Sequence, residues 1–204
     1  MSQPVKSVSK LSRSVGENLF LKGERDEGQK NVMTRRPYGP GQHGQSRRGK
    51  PSDYARQLKE KQKIRYTYYI SEKQLRRIFE LANRSKKNTG ERLLQLLELR
   101  ADNILYRAGF AESRRQARQL ISHGHILIDN KKTKTPSYIM AEGQTIEAKK
   151  TVERESARKK ATVPAWLEAS EQNKKAKVVA TPSREQIQTT IEEQLVVEYY
   201  SRLT

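Results

Sequence analysis

LRADNILYRAGFAESRRQARQLISHGHILIDNKKTKTPSYIMAEGQTIEA, residues 99–148 of the 204-residue chain, carries the pattern that decides the fold. Ser113 has the side chain of an N-cap and Gln116 stands three places on. Together they predict a capping box worth about 1 kcal/mol, with the helix beginning at Arg114. Ala117, Leu120 and Ile121 recur at i, i+3 and i+4 and are read as the core side, leaving Arg114, Arg115 and Arg118 on the other. Gly124 falls where a left-handed cap is needed, and the β-branched run Ile126–Ile128 follows as a strand. The preceding helix is expected to be capped by Asp102 or a neighbour, to bury Ile104, Leu105 and Ala108, and to stop at Gly109. Arg107 lies off that stripe.

Two helices on one small sheet, with arginines converging on one face, suit RNA better than the major groove of B-DNA. A-form RNA is recognised by shape and through its phosphates and hydroxyls. The competing reading is a merely solvated basic face, and composition bears on the choice.

The chain has 42 Lys and Arg against 23 Asp and Glu, a formal charge of +19, and a sequence pI near 10.2. A soluble protein this basic usually meets a polyanion, most commonly nucleic acid. Residues 1–160 hold 37 of the basic and 17 of the acidic side chains, so the binding surface belongs to the first four-fifths. The absence of cysteine excludes disulfide frameworks and thiolate metal sites. No apolar run approaches the roughly 18 residues of a membrane span, and MSQPVKSVSK lacks the apolar centre of a signal peptide, so no membrane partner is expected and the cytoplasm is the expected location.

Residues 1–34 show little periodicity and are read as an extended arm, with a short anchored turn at 18–23. From Arg35 to Pro51 there are four glycines, three prolines and five basic residues without an acid. Such a segment cannot bury a core, but it can follow a phosphate backbone through Arg35, Arg36, Arg47, Arg48 and Lys50 while Tyr38 or His43 stacks on a base. A plain linker would not need every charge positive.

Helices dominate next. Ser52 is expected to cap a segment through Tyr66 with Tyr54 and Leu58 on its inner edge and Arg56, Lys59, Lys61, Lys63 and Arg65 spread over the rest. Ser71 and Gln74 form a second capping box, followed by the stripe Leu75, Ile78, Phe79 and Ala82. Residues 86–90 break the helix, and Leu93, Leu96 and Leu97 build another. Beyond the central module, 149–160 reads as a charged helical or linking segment, Pro164, Trp166 and Leu167 as a packed anchor, and 171–182 as a polar loop. Ile187, Ile191 and Leu195, with Val196 or Tyr199, are spaced for a final helix whose Glu192, Glu193 and Glu198 face the basic N-terminal helices.

Catalytic chemistry has no visible site. There is no Walker loop, nucleophile elbow or zincin motif, and Gly39-Pro40-Gly41 has neither the strand before it nor the βαβ unit after it that a dinucleotide fingerprint requires. His123 and His125 flank Gly124, but with no Cys or acidic cluster beside them a metal is not expected; His123 is assigned to RNA.

With these residues in view, the chain resembles the bacterial and organellar family of small-subunit ribosomal protein number four. The resemblance rests on Lys10-Leu11-Ser12-Arg13 with Gly16, on residues 40–44 (PGQHG), and on Ser52-Asp53-Tyr54 with residues 57–63 (QLKEKQK). It continues through residues 88–91 (NTGE), Arg100 with Asp102-Asn103, Tyr106-Arg107 with Gly109-Phe110, residues 117–120 (ARQL), Ser122-His123-Gly124, Pro136-Ser137-Tyr138 and residues 198–201 (EYYS).

The resemblance implies an α+β protein: an extended basic arm (1–51), a mostly helical domain (52–98 plus 161–204), and a small α-plus-β RNA-binding module inserted at 99–160. It implies a structural constituent of the small ribosomal subunit, not an enzyme and without a cofactor. Such a protein binds small-subunit rRNA at a multi-helix junction of the 5′ region, nucleates assembly, and contacts neighbouring ribosomal proteins. It also acts in translational accuracy near the channel through which mRNA enters, on a cytoplasmic or organellar ribosome. Arg13, in the matching N-terminal motif, and Lys131, in the hairpin, join the RNA-contact candidates.

Three departures qualify the match. Where some relatives carry zinc-binding cysteines, this chain has Gln29, Lys30, Asn31 and Val32, which implies a metal-free arm. Asn130-Lys131 stands in place of an Asn-Gly turn, so the hairpin loop is expected to be longer, since Lys resists positive φ. After Lys63, Tyr66, Tyr68 and Tyr69 replace charge with stacking surface. A rival reading, an RNA-modifying enzyme carrying the same module with Asp102 in a catalytic Arg-x-Asp, lacks the strands of a catalytic domain elsewhere in the chain. A second rival is a free regulator of mRNA or of stalled ribosomes.

Overall fold

The computed structural model describes residues 7–29, 31–46, 49–85, 88–149, 162–170, 174–187 and 189–202. The expectations for Arg47, Arg48, Lys86, Lys87 and most of the charged segment 149–160 lie outside these residues. The chain forms two compact units, Met1–Leu93 with Thr189–Thr204, and Leu94–Gln188.

The described helices of the first unit begin in the stretch expected to be an extended arm. It folds into α1 (Val8–Val15), α2 (Glu24–Glu27) and α3 (Val32–Arg35). The reason is a spaced set of apolar anchors, Leu11, Val15 and Leu19, all buried. Gly16 closes α1 in the left-handed region at φ 80°, its N–H donating to the Ser12 carbonyl. Asn31 caps α3 by accepting from the Met33 amide at 2.8 Å.

α4 (Asp53–Thr67) is capped by Ser52 as expected, the Ser52 hydroxyl accepting from the Ala55 amide. Its buried edge is not the expected one. Tyr54 is exposed and Leu58 half-buried, while Gln57, Glu60, Lys61, Lys63 and Ile64 face inward. The cause is α9 (Glu193–Ser201), which packs along α4 and presents Glu198 to Gln57 and Tyr199 to Lys61. α5 (Glu72–Asn83) follows its sequence pattern closely: the Ser71–Gln74 capping box is formed and Leu75, Ile78, Phe79 and Ala82 are buried. The unit boundary falls within α6 (Thr89–Glu98). The final helix is shorter than the apolar spacing predicted, since it starts only at Glu193; Ile187 and Ile191 are buried ahead of it as loop anchors.

In the second unit α7 (Ala101–Arg107) and α8 (Arg114–Ser122) pack together over an antiparallel sheet of β1 (Ile126–Ile128), β2 (Lys131–Thr133), β3 (Thr145–Ala148), β4 (Leu167–Ser170) and β5 (Lys175–Val178), in the order β2-β1-β3-β5-β4. The mixed α+β class read from the sequence is the class observed. Two strands were missed: the stretch expected to be an anchor and a polar loop of the helical domain supplies β4 and β5, which extend the sheet beyond β3. Trp166, Leu167, Ala176 and Val178 thereby join the core built by Ile104, Leu105, Ile121, Ile126 and Ile146.

The β1–β2 hairpin turns on two residues, Asp129 and Asn130, at φ 47° and 64°. The loop is thus not lengthened. The turn sits one position earlier than expected, on two residue types that tolerate positive φ, and Lys131 is the first strand residue.

Candidate nucleic-acid interface

The module's site begins with the segment leading into α7. No side chain caps this helix. Its first amides are met instead by a loop: the Ala101 N–H donates to the Tyr138 carbonyl at 2.8 Å and the Asp102 N–H to the Pro136 carbonyl at 3.2 Å, beside an Arg100–Ile139 bridge. The Asp102 carboxylate, expected as a cap, is therefore available for another use. Arg100 donates to it through Nε at 3.0 Å and Nη2 at 2.8 Å, and Arg118 Nη1 lies 3.6 Å away. One turn of chain away, Glu98 accepts from Arg107 at 2.8 and 3.0 Å and from Asn103 at 2.7 Å, and Asn103 accepts from Arg114 Nε at 2.7 Å. The Arg114 guanidinium also sits 4.4 Å from the centre of the Tyr106 ring.

This network revises the reading of α8. Arg114, Ala117, Arg118 and Ile121 fall at i, i+3, i+4 and i+7, so the two arginines share the buried stripe. They are only 9% and 8% exposed. Buried cations must be paired, and these are. Of the three arginines assigned to the outer face, Arg115 alone is exposed. The Ser113 hydroxyl accepts from the Gln116 amide as expected, but the Gln116 side chain reaches the Glu112 amide at 2.7 Å rather than closing the box on Ser113.

Two exposed lysines of the module lie over Gly124. Its φ of 75° fits the left-handed cap. A Cβ at that position would lie 2.5 Å from Lys132 Cε and 3.5 Å from Lys134 Cε, so these two lysines lie close over the glycine. His123, Lys131, Lys132 and Lys134 are all exposed. Lys132 and Lys134 were not picked out from the sequence, although their i, i+2 spacing along an edge strand was the available signal. The hairpin is braced by Asp129, which accepts from the Thr145 amide at 2.9 Å and from Gln144 at 2.8 Å. That amide holds the Asp129 carboxyl below its usual range.

In the first unit the expected contacts separate into two groups. Lys61 is buried, donating to Glu72 at 2.9 Å over the Tyr199 ring, and Lys63 is buried between Glu17 at 2.7 Å and the Thr190 carbonyl. Arg65 is half-buried and bonds Gln62. Arg13 donates to the carbonyls of Tyr38 and Gly39, both at 2.8 Å, and stacks on the half-buried Tyr38 ring, so this pair organises the turn after α3. Arg35, Arg36, His43, Lys50 and Lys59 are exposed, as is Arg56, which pairs with Asp53. Among the described residues no group of three or more His, Asp or Glu is placed to hold a metal, and no helix is long and apolar enough to cross a membrane. The rings of His123 and His125 are 6.2 Å apart and tilted.

A helical unit in which Glu17, Glu60 and Glu72 pair with buried lysines, and a helix-pair-on-sheet module in which Glu98 and Asp102 pair with buried or half-buried arginines, both with further cations exposed, define a polyanion-binding protein of the RNA-binding class. Comparison with known proteins makes the assignment particular. Residues 5–98 match the model of the ribosomal protein S4/S9 N-terminal domain, and residues 99–146 match the S4 domain. The chain is 46% identical to the small ribosomal subunit protein uS4 of Syntrophomonas wolfei, covering 99% of this chain and all of the relative. It is 44% identical, with the same coverage, to the uS4 of Syntrophus aciditrophicus. The chain belongs to the uS4 family of small ribosomal subunit proteins. That family is structural and non-enzymatic, in keeping with the reading against an RNA-modifying enzyme, and Asp102 is closed off between two arginines.

Proposed function

We propose that this protein is a structural constituent of the small ribosomal subunit and binds its rRNA. The observation that carries the reading is the sorting of charge. Glu98 and Asp102 pair inside the module with Arg107, Arg100 and Arg118, while Arg115, Lys131, Lys132 and Lys134 are exposed beside His123. A module braced in this way meets phosphates without first ordering itself.

The finer proposal is that it binds a multi-helix junction in the 5′ region of the rRNA early and nucleates assembly there. From that position it contacts neighbouring ribosomal proteins and mRNA where the message enters, with an effect on decoding accuracy. Its location is the ribosome of the cytoplasm. Support comes from family membership over the whole chain and from the matches of residues 5–98 and 99–146 to the two family models. The test is sedimentation: the protein is expected in one copy per salt-washed small subunit. Recovery only in the ribosome-free supernatant overturns the reading in favour of a free regulator.

A further inference from the structure

We propose that Glu60, Lys63, Glu17 and residues 190–192 form a clasp that fastens the C-terminal segment of the first unit to α4 and that tightens when Glu60 takes up a proton, an inference independent of the rRNA-binding reading. Three stretches of chain meet at one buried amine. Lys63 Nζ on α4 lies 2.7 Å from the Glu17 carboxylate, just beyond α1, and donates at 2.7 Å to the Thr190 carbonyl, just ahead of α9. Thr190 Oγ1 donates to the same Glu17 carboxylate at 3.2 Å. Glu60, one turn before Lys63, accepts from the Glu192 amide at 3.3 Å and lies 3.7 Å from Nζ.

The charges of this cluster do not balance. Among the described residues the groups acting on Glu60 are one cation, Lys63 on its own helix, and two carboxylates, Glu17 from the stretch after α1 and Glu192 from the stretch before α9. Lys63 makes its shortest ionic contact with Glu17, whose side chain is 38% exposed, and leaves the longer one to Glu60, whose side chain is 12% exposed. A carboxylate taken out of water stays charged only with a close cation or several donors. Glu60 has one amide and a more distant amine. Burial therefore pushes its carboxyl above the ordinary glutamate range; Lys63 and the Glu192 amide oppose the push, and the Glu17 and Glu192 carboxylates add to it.

A carboxyl raised in the closed state favours closure when it is protonated. Its contribution is fully present below the open-state value of about 4.3 and is lost as pH rises through the closed-state one. At neutral pH the clasp thus holds an ionised Glu60 at a cost, while Lys63 is paired with Glu17. Acidification removes that cost and holds residues 190–192, with α9 behind them, more tightly to α4. An ordinary ion pair does the reverse and loosens as its carboxylate is neutralised.

The test is hydrogen exchange on the full chain, followed by mass spectrometry over residues 189–194. Rates are expressed as the ratio of variant to wild type at each pH, which cancels the intrinsic pH dependence of exchange. Glu60→Gln is neutral, keeps the shape and still accepts from the Glu192 amide. It is expected to slow exchange at least about twofold at pH 7.5, with the ratio approaching one near pH 4.5 as wild-type Glu60 takes up its proton. Glu17→Gln, which removes the nearest carboxylate of Lys63, is expected to speed exchange at pH 7.5. Exchange in α5 should be unchanged in both variants. The wild-type chain gives a second reading without any substitution, since protection of 189–194 relative to α5 should rise from pH 7.5 to 4.5. Faster exchange in Glu60→Gln at pH 7.5, the mark of an ordinary stabilising ion pair, overturns the proposal. So does a ratio that stays the same at the two pH values, or wild-type protection that falls on acidification. An unaltered rate in Glu17→Gln overturns Lys63 as the centre of the clasp.

Discussion

Replacing Asp102 by Ala tests whether the module is held by internal charge pairing. Asp102 is 3% exposed and its carboxylate receives two hydrogen bonds from Arg100, itself 2% exposed, with Arg118 3.6 Å away. Removing it strands Arg100 in the interior and strips Arg118 of its carboxylate. Breaking a buried pair in this way costs about 3–5 kcal/mol, most of it the penalty for the unpaired cation. Domains are stable by only about 5–15 kcal/mol, so the loss consumes a large share of the total. Trp166, the single tryptophan, is buried in the module's core and reports that unit alone by fluorescence. With a urea m-value of about 1.5 kcal/mol/M, the unfolding midpoint of Asp102→Ala is expected about 2–3 M below wild type. Asp102→Asn, which keeps the shape and one acceptor, should fall between. A midpoint within 0.5 M of wild type for the alanine variant refutes the reasoning.

Three other outcomes follow from the same geometry. Arg114→Ala should destabilise the module by about 2–4 kcal/mol, losing a buried charged hydrogen bond and a cation–π contact, while the exposed Arg115→Ala stays within about 0.5 kcal/mol; the rRNA salt slope, measured by filter binding, should fall by about 0.9 for Arg115→Ala. Gly124→Ala should cost about 1–2 kcal/mol by urea titration, because the residue needs φ near +75°, whereas the flexible end of Lys132 can move aside. Asp129 is held below the ordinary aspartate range by the Thr145 amide, so its contribution is present above the unfolded value of about 3.9 and is lost as pH falls through the folded one. Asp129→Asn, which still tolerates the turn, should therefore show a flatter loss of stability than wild type below about pH 4 in acid titrations followed by Trp166.

Local signals were legible in the sequence. The Ser71–Gln74 capping box and the stripe Leu75, Ile78, Phe79 and Ala82 depend on neighbours within two turns, and both are found as read. The error at α8 came from treating charge as a sign of exposure. Arg114 and Arg118 lie on the apolar stripe by spacing, but their partners, Asn103 and Asp102, are 11 and 16 residues back and belong to another helix. Strand β5 had a readable period of two in Lys175-Ala176-Lys177-Val178, hidden by the lysines on its outer face. The arrangement of α1, α2 and α3 rests on a few spaced apolar anchors, Leu11, Val15 and Leu19, too sparse to show a period. Family membership was legible because its motifs are spread in order along the whole chain.

The most direct test of the account is the affinity of the purified chain for the 5′-region fragment of its small-subunit rRNA, measured beside a scrambled RNA of equal length at about 150 mM salt. The account predicts at least a hundredfold preference for the rRNA fragment, because a rigid frame of cations selects a folded arrangement of phosphates. Equal affinity for the two RNAs contradicts it.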